Sequence, residues 1–266
     1  EFSVGGEVSD FEAKFVHVDD SGEQIWSSTV PGLAGTIEFA DPRAIAVLED
    51  RYVVAATDYS EDVGTVLARY DAEGNRESKW SLSAETGEVT PTDLRTEDGD
   101  VLFLGGAPME DGSEVSAPLI AKVGVDGTER WRVTPETDGG RLPLGFARRG
   151  DRLLVVGSKA DADGLIETGW AMELEGSPPS VTWQGSIDEF GMDLVGAGAP
   201  PGTDAWVFSG RAPSEEQSGD AGEDTSDESS KAESESVGRL LAGADPTQPA
   251  FVETPADTGT FEGVVP

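Results

Sequence analysis

The chain has 266 residues and 53 Asp and Glu against 18 Lys and Arg, a formal net charge of −35. So acidic a surface repels DNA, RNA and anionic lipid head groups, which excludes nucleic acid as a partner. Cysteine is absent, so neither disulfides nor thiolate zinc sites hold the fold.

Acid spread along the whole chain, with only five lysines (Lys14, Lys79, Lys122, Lys159 and Lys231), fits a protein of a salt-loving archaeon. At molar salt the Debye length falls to about 3 Å and the carboxylates cease to repel. No apolar run approaches the ~20 residues of a membrane-spanning helix. A start at Glu1 in place of Met is expected to reflect an upstream part that was removed. The abundant glycine (34) and proline (16) predict many tight turns between short strands.

The predicted elements repeat along the chain. Phe2–Gly6 (FSVGG) reads as the second strand of a first unit, and Ala13–Trp26 as an apolar strand, an acidic glycine turn and a short strand ending in Trp. That phrase returns as Leu67–Trp80, Ile120–Trp131 and Trp170–Trp183, placing Trp26, Trp80, Trp131 and Trp183 at 54, 51 and 52 residue steps. Each phrase has the form of a β-hairpin. Between them lie RYVVAATD (Arg51–Asp58), DVLFLGGA (Asp100–Ala107), DRLLVVGS (Asp151–Ser158) and DAWVFSGR (Asp204–Arg211), aligned on Ala55, Gly105, Gly157 and Ser209. Each of these follows a turn and another apolar stretch. Arg211–Val237, almost free of apolar residues, is expected to be a disordered acidic loop. GRLLAGADPTQPAFVE then resumes the pattern with Phe251 in the Trp position, and Thr260–Pro266 reads as an innermost strand.

Four short strands in about 50 residues is the unit of a propeller blade. A lone four-stranded sheet leaves both faces wet, and stacking sheets around an axis covers them. The expected fold is a single all-β domain over residues 1–266, a β-propeller of about five four-stranded blades. Its units begin near Pro42, Thr92, Leu144 and Met192, and the N- and C-terminal strands share one blade and close the ring. A fragment of a longer propeller is the competing organisation. The four tryptophans are expected to be structural, packed between neighbouring blades.

Chemistry is sparse in this pattern. His17 is the one histidine and sits beside Asp19 and Asp20, read as a strand residue and not as the base of a catalytic triad. Neither a GxSxG elbow nor a phosphate loop occurs. With so many acids, close carboxylate pairs arise by chance and do not by themselves mark a glycosidase. Asp161, Asp163 and Glu167 are the calcium candidates, because hard cations prefer closely spaced carboxylate oxygens. Asp71, Glu73 and Asn75 look similar, but their turn recurs in the hairpins, where Asp, Asn and Gly serve the backbone. Lys14, Arg69, Lys122 and Arg239, with Met172 in the fourth unit, are read as one recurring strand position. Such a row is either an anion-binding ring or, as favoured, a set of stems packed on the next blade with their heads on carboxylates.

Tyr70–Trp80 (YDAEGNRESKW) and Val123–Trp131 (VGVDGTERW) resemble the quinoprotein-like (PQQ-like) β-propeller repeats. The resemblance covers most of the chain at the level of the repeat and implies blade architecture without activity. Nothing matches that family's calcium and quinone site, so it implies a cofactor-less relative. The expected function is a non-enzymatic binding scaffold, monomeric and extracellular or at the cell surface, for a protein or small-molecule ligand. The alternative is an enzyme with a carboxylate-lined channel, a hydrolase or a degenerate quinoprotein.

Overall fold

The computed structural model describes residues 14–29, 40–58, 64–83, 87–109, 116–137, 139–160, 166–186, 193–199, 206–211, 238–243 and 250–253. These contain eighteen strands and no helix. The first sheet holds β1 (Lys14–Val18) and β2 (Gln24–Thr29). The second holds β3 (Ala40–Leu48), β4 (Arg51–Asp58), β5 (Gly64–Tyr70) and β6 (Arg76–Leu82). The third holds β7 (Thr90–Glu97), β8 (Asp100–Pro108), β9 (Ser116–Val123) and β10 (Glu129–Val133). The fourth holds β11 (Arg141–Arg149), β12 (Arg152–Ala160), β13 (Ile166–Gly176) and β14 (Pro179–Ser186). The fifth holds β15 (Asp193–Gly198), β16 (Trp206–Arg211), β17 (Gly238–Gly243) and β18 (Ala250–Glu253).

Every sheet is an antiparallel meander in chain order. The four complete sheets begin close to the four predicted starts. Their first strands pack in succession, β3 on β7, β7 on β11 and β11 on β15, as inner strands around an axis do. The predicted terminal strands (Phe2–Gly6 and Thr260–Pro266) and the acidic loop Arg211–Val237, apart from Arg211 itself, lie outside the described residues.

The core lies between sheets. Val53, Ala55 and Leu67 of the second sheet meet Leu94, Val101 and Phe103 of the third. Leu102, Leu104 and Ile120 of the third meet Phe146, Leu153 and Val155 of the fourth. Leu154, Val156 and Ala171 of the fourth meet Ala197 and Trp206 of the fifth. A middle strand is thus apolar on both faces, which is why VVAA in β4 and VLFL in β8 show no polar alternation.

A recurring irregularity sets the register. The inner strands bulge between Pro42 and Ala44, Pro91 and Asp93, Pro143 and Gly145, and Leu194 and Gly196. Opposite the first residue of each bulge stand Ala56, Gly105, Gly157 and Gly210. These are the equivalent positions, so the alignment on Ala55 and Ser209 is one residue out in the second and fifth units. Neighbouring small residues, Ala55-Ala56 and Ser209-Gly210, made both alignments look alike.

The outer hairpins close on aspartate. Asp71 Oδ1 accepts the amides of Glu73 at 3.0 Å and Asn75 at 2.8 Å, and Asp19 Oδ1 accepts those of Ser21 and Glu23, both at 2.9 Å. Asp126 Oδ1 does the same with Thr128 at 3.0 Å. These bonds favour the ionised form and hold all three carboxyls below the usual carboxylate range: at Asp19 and Asp71 side-chain bonds from Ser21 and Asn75 lead, at Asp126 the Thr128 amide.

Candidate functional site

The outer-strand tryptophans lie at the seams between sheets. Trp26 of β2 lies on Gly74, in the β5–β6 turn of the next sheet, and its Nε1 donates to Ala72 O at 2.8 Å. Trp80 of β6 lies in the same way on Gly127 in the β9–β10 turn. Gly74 (φ 80°) and Gly127 (φ 81°) turn the chain in the left-handed region and present a bare backbone to the ring. Trp131 packs on the cluster around Leu102, Ile120 and Phe146, and Trp183 on the one around Leu154 and Trp206.

The row of basic residues divides once strands are paired. Arg69 pairs with Val53, Lys122 with Leu102, and their equivalent in the fourth sheet is Glu173, which pairs with Leu154, not Met172. In the fifth sheet the equivalent is Ala242, opposite Val207, because Arg239 stands opposite Gly210. In the first sheet it is His17, paired with Trp26 as Lys122 is with Trp131, and not Lys14. No ring of positive charge forms at this position, because two-residue periodicity puts a residue one step away on the other face.

Arg69 and Lys122 both join ion pairs. Arg69 Nε lies 2.9 Å from Glu77 Oε2, and Arg69 Nη1 donates to Val125 O in the next sheet. Lys122 Nζ lies 3.0 Å from Glu97 Oε2, and the other oxygen of Glu97 takes Arg148 of the next sheet. Glu97 therefore fastens the third sheet to the fourth. Glu173 holds Arg152, whose guanidinium, with that of Arg149, lies over the Trp206 ring of the fifth sheet at 5.7 and 4.6 Å.

Glu97 also borders a cleft of about 310 Å³ between the β3–β4 and β7–β8 turns, with Val47, Leu48, Arg51 and Val125 among its walls. Arg51 in turn reaches Glu77 at 3.2 Å. Of the charged groups at this cleft, Arg51 is paired within the second sheet and Glu97 with Lys122 and Arg148.

Asp93, next to the β7 bulge, is an acid that no sequence pattern singles out. Its Oδ2 accepts the amide of Phe146 on β11 and the Nε of Arg95, each at 3.4 Å. Burial pushes its carboxyl above the usual range, against the opposing pull of Arg95 and the Phe146 amide. A folded-state value above the unfolded one leaves Asp93 fully favourable below the unfolded value, and that contribution is lost as pH rises through the folded value. Asp93→Asn keeps an acceptor for Phe146 and cannot ionise. We expect its melting temperature to gain a few degrees on the parent chain between pH 4 and pH 7, measured by circular dichroism. The turn residues Asp19, Asp71 and Asp126 act with the opposite sign, losing their contribution as pH falls.

His17 lies among aromatic rings. Its Nδ1 is 3.4 Å from the Tyr52 hydroxyl, and its ring centroid is 5.3 Å from that of Trp26 and 5.7 Å from that of Tyr52. Next to this group Phe15 meets Tyr70 edge-on at 4.4 Å. The Tyr70 hydroxyl donates to Thr29 O at 3.0 Å, and burial pushes it up to about 12.

Of the calcium candidates, Asp161 and Asp163 and the side chain of Glu167 lie outside the described residues. Asp71 Oδ1 and Oδ2 are both taken up within their own turn, Oδ2 by Asn75 Nδ2 at 3.0 Å. Among the described residues no group of three or more His, Asp or Glu gathers in a way that could hold a metal ion. Nor is any helix there long and apolar enough to cross a membrane.

No family model and no curated protein matches the chain. Among solved structures it is similar to the WD40 domain of Neurospora crassa Pan2, with a TM-score of 0.55 at 9% identity over 90% of this chain. A subtype N10 neuraminidase-like protein (A/little yellow-shouldered bat/Guatemala) gives 0.47 at 10% identity over 80% of this chain and 59% of its own. A Synechocystis apocarotenoid oxygenase variant gives 0.47 at 12% identity over 91% of this chain and 55% of its own. The chain spans 59% of the length of the Pan2 structure. Likeness at this identity concerns the fold alone. The Pan2 likeness, together with the inter-sheet packing, makes the protein an all-β chain with the β-propeller fold.

Proposed function

We propose that this propeller is a non-enzymatic binding scaffold, working outside the cell or at its surface in a high-salt organism, for a protein or small-molecule ligand and without a cofactor. One observation carries this reading: the inner-strand acids Glu97 and Asp93 are spent on the next sheet, through Arg148 and the Phe146 amide, with Glu97 also taking Lys122 of its own sheet. Recognition then falls to the segments joining second and third strands of the four complete sheets, 59–63, 109–115, 161–165 and 212–237. The rival reading, a hydrolase with a carboxylate-lined channel, rests on Asp93, whose raised carboxyl suits a general acid.

Purified chain in molar KCl should turn over neither glycosides, esters nor quinone-linked alcohols. Turnover abolished by Asp93→Asn would establish the enzyme instead. The high-salt part has its own measurement. With a net charge of −35, weaker screening restores repulsion among the carboxylates, the Debye length growing from about 3 Å at 1 M salt to about 10 Å at 0.1 M. The melting temperature should drop by many degrees over that range, and a flat profile would remove the halophile from the proposal.

A further inference from the structure

The seam between the third and fourth sheets carries an ion pair that the seam before it lacks. Arg148 of β11 reaches Glu97 of β7, and Lys122 takes the other oxygen of that carboxylate. Strand pairing fixes the equivalent residues. Arg148 stands opposite Leu153 as Thr96 stands opposite Val101, and Glu97 opposite Asp100 as Leu48 opposite Arg51. One seam earlier, the counterparts of Glu97 and Arg148 are therefore Leu48 and Thr96. These two cannot form an ion pair, and both line the cleft of about 310 Å³ between the β3–β4 and β7–β8 turns. Arg69, the counterpart of Lys122, has no acid at Leu48 to meet and turns to Glu77 and to Val125 O.

The cleft is lined with acid. Glu49 and Asp98 both border it, and neither joins an ion pair or a side-chain hydrogen bond among the described residues. Each opens its turn at φ 51°, where the fourth sheet has Gly150 at 58°. Left-handed backbone favours glycine, so these acids stand where a residue without a side chain would be the easier choice. Arg51, the cation among the lining residues, is held by Glu77 at 3.2 Å.

We propose that the cleft receives an arginine side chain of a partner polypeptide, in the place that Arg148 takes in the next seam. Leu48 and Val125 offer apolar wall to its stem, and Glu49, Glu97 and Asp98 offer carboxylate oxygens to its guanidinium. Glu97 can take a further donor, because a carboxylate has about four lone-pair sites and Lys122 and Arg148 use two. A guanidinium is more weakly hydrated than an ammonium and bonds through two donors at once, which favours arginine over lysine. At molar salt the Debye length is about 3 Å, so only charges in contact still attract, and recognition is confined to the cleft itself. The cleft lies at the start of β4 and β8, whereas segments 59–63 and 109–115 follow those strands, so this site is additional to the recognition segments proposed above.

The probe is N-acetylarginine amide, titrated into the full chain in molar KCl. We expect saturable binding by calorimetry or NMR, about tenfold or more tighter than for the citrulline analogue, which has a similar shape and no charge. Glu49→Gln with Asp98→Asn, two changes on exposed turns, should bring arginine down to the level of citrulline. Thr96→Arg puts an arginine where Arg148 stands in the next seam. It should close the cleft from within and abolish binding while the circular dichroism stays that of the parent. Equal binding of arginine and citrulline, or no saturable binding of arginine, overturns the proposal. Full affinity in the Thr96→Arg chain overturns it too, since the arginine would then be held elsewhere, and the scaffold reading would still stand.

Discussion

Gly157→Ala is expected to destabilise the protein by about 3 kcal/mol or more, enough to leave much of it unfolded in a urea titration that the parent survives. A Cβ at Gly157 would collide with Leu142 O and stand 2.9 Å from Leu142 C and 3.0 Å from the Pro143 Cα. All three are backbone atoms of β11, the strand paired with β12 at this point. A side chain in the way could rotate, but a bulged backbone tied into a ladder cannot move without giving up hydrogen bonds. Ala56 fills the same position opposite Pro42 in the second sheet, so that sheet already accommodates a methyl group. The reverse change there, Ala56→Gly, should cost about 1 kcal/mol, mostly as backbone entropy. Equal losses at the two positions would show that the bulges are not equivalent.

That contrast marks how far the sequence could be read. The hairpin phrases closed by Trp26, Trp80, Trp131 and Trp183, with the apolar phrases between them, were enough to place the strand order and the sheet starts within a few residues. They recur because the same seam recurs. The bulge was missed although Pro42, Pro91 and Pro143 stand at its four-sheet repeat, since Leu194 breaks the set in the fifth sheet. Missing it shifted the register by one residue in two units. Alternation could not correct the slip, because middle strands buried on both faces are apolar at every position. Lys14 and Arg239 stand three residues from the equivalent places His17 and Ala242, and Met172 one residue from Glu173, so of the residues read as one row only Arg69 and Lys122 share a position.

The candidate site was still less legible. Glu97 and Asp93 are two acids among 53, and only pairing places Glu97 within reach of an arginine on the next sheet. His17 was read as a strand residue beside acids, and it does lie in β1. The aromatic ring of Tyr52, which meets it there, comes from a strand 35 residues away that no local pattern connects to it.

Trp80→Ala should cost about 3–5 kcal/mol, the usual range for emptying an aromatic site in a packed interface. The ring spans the seam between the second and third sheets, against the cluster of Val53, Leu67, Leu94 and Phe103, with its edge on Gly127. A loss this size could also follow from any buried tryptophan, so the seam itself is tested by a double-mutant cycle with Gly127→Ala. In the parent chain that alanine suffers twice. It must hold φ near 81°, at about 1–2 kcal/mol, and its methyl group presses on the indole, with Trp80 Cδ2 and Cγ each 3.2 Å away. With Trp80 already truncated the second burden vanishes and the first stays. Gly127→Ala should therefore cost measurably less in the Trp80→Ala background, by about 1 kcal/mol. At Gly74 the ring atoms lie closer, Trp26 Cε3 being 2.6 Å from the added carbon, so the coupling of Gly74→Ala with Trp26→Ala should be larger still. Strict additivity at both pairs would mean that ring and turn do not bear on each other, and the seam between the second and third sheets would have to be held by its apolar cluster and the bond from Arg69 to Val125 O instead.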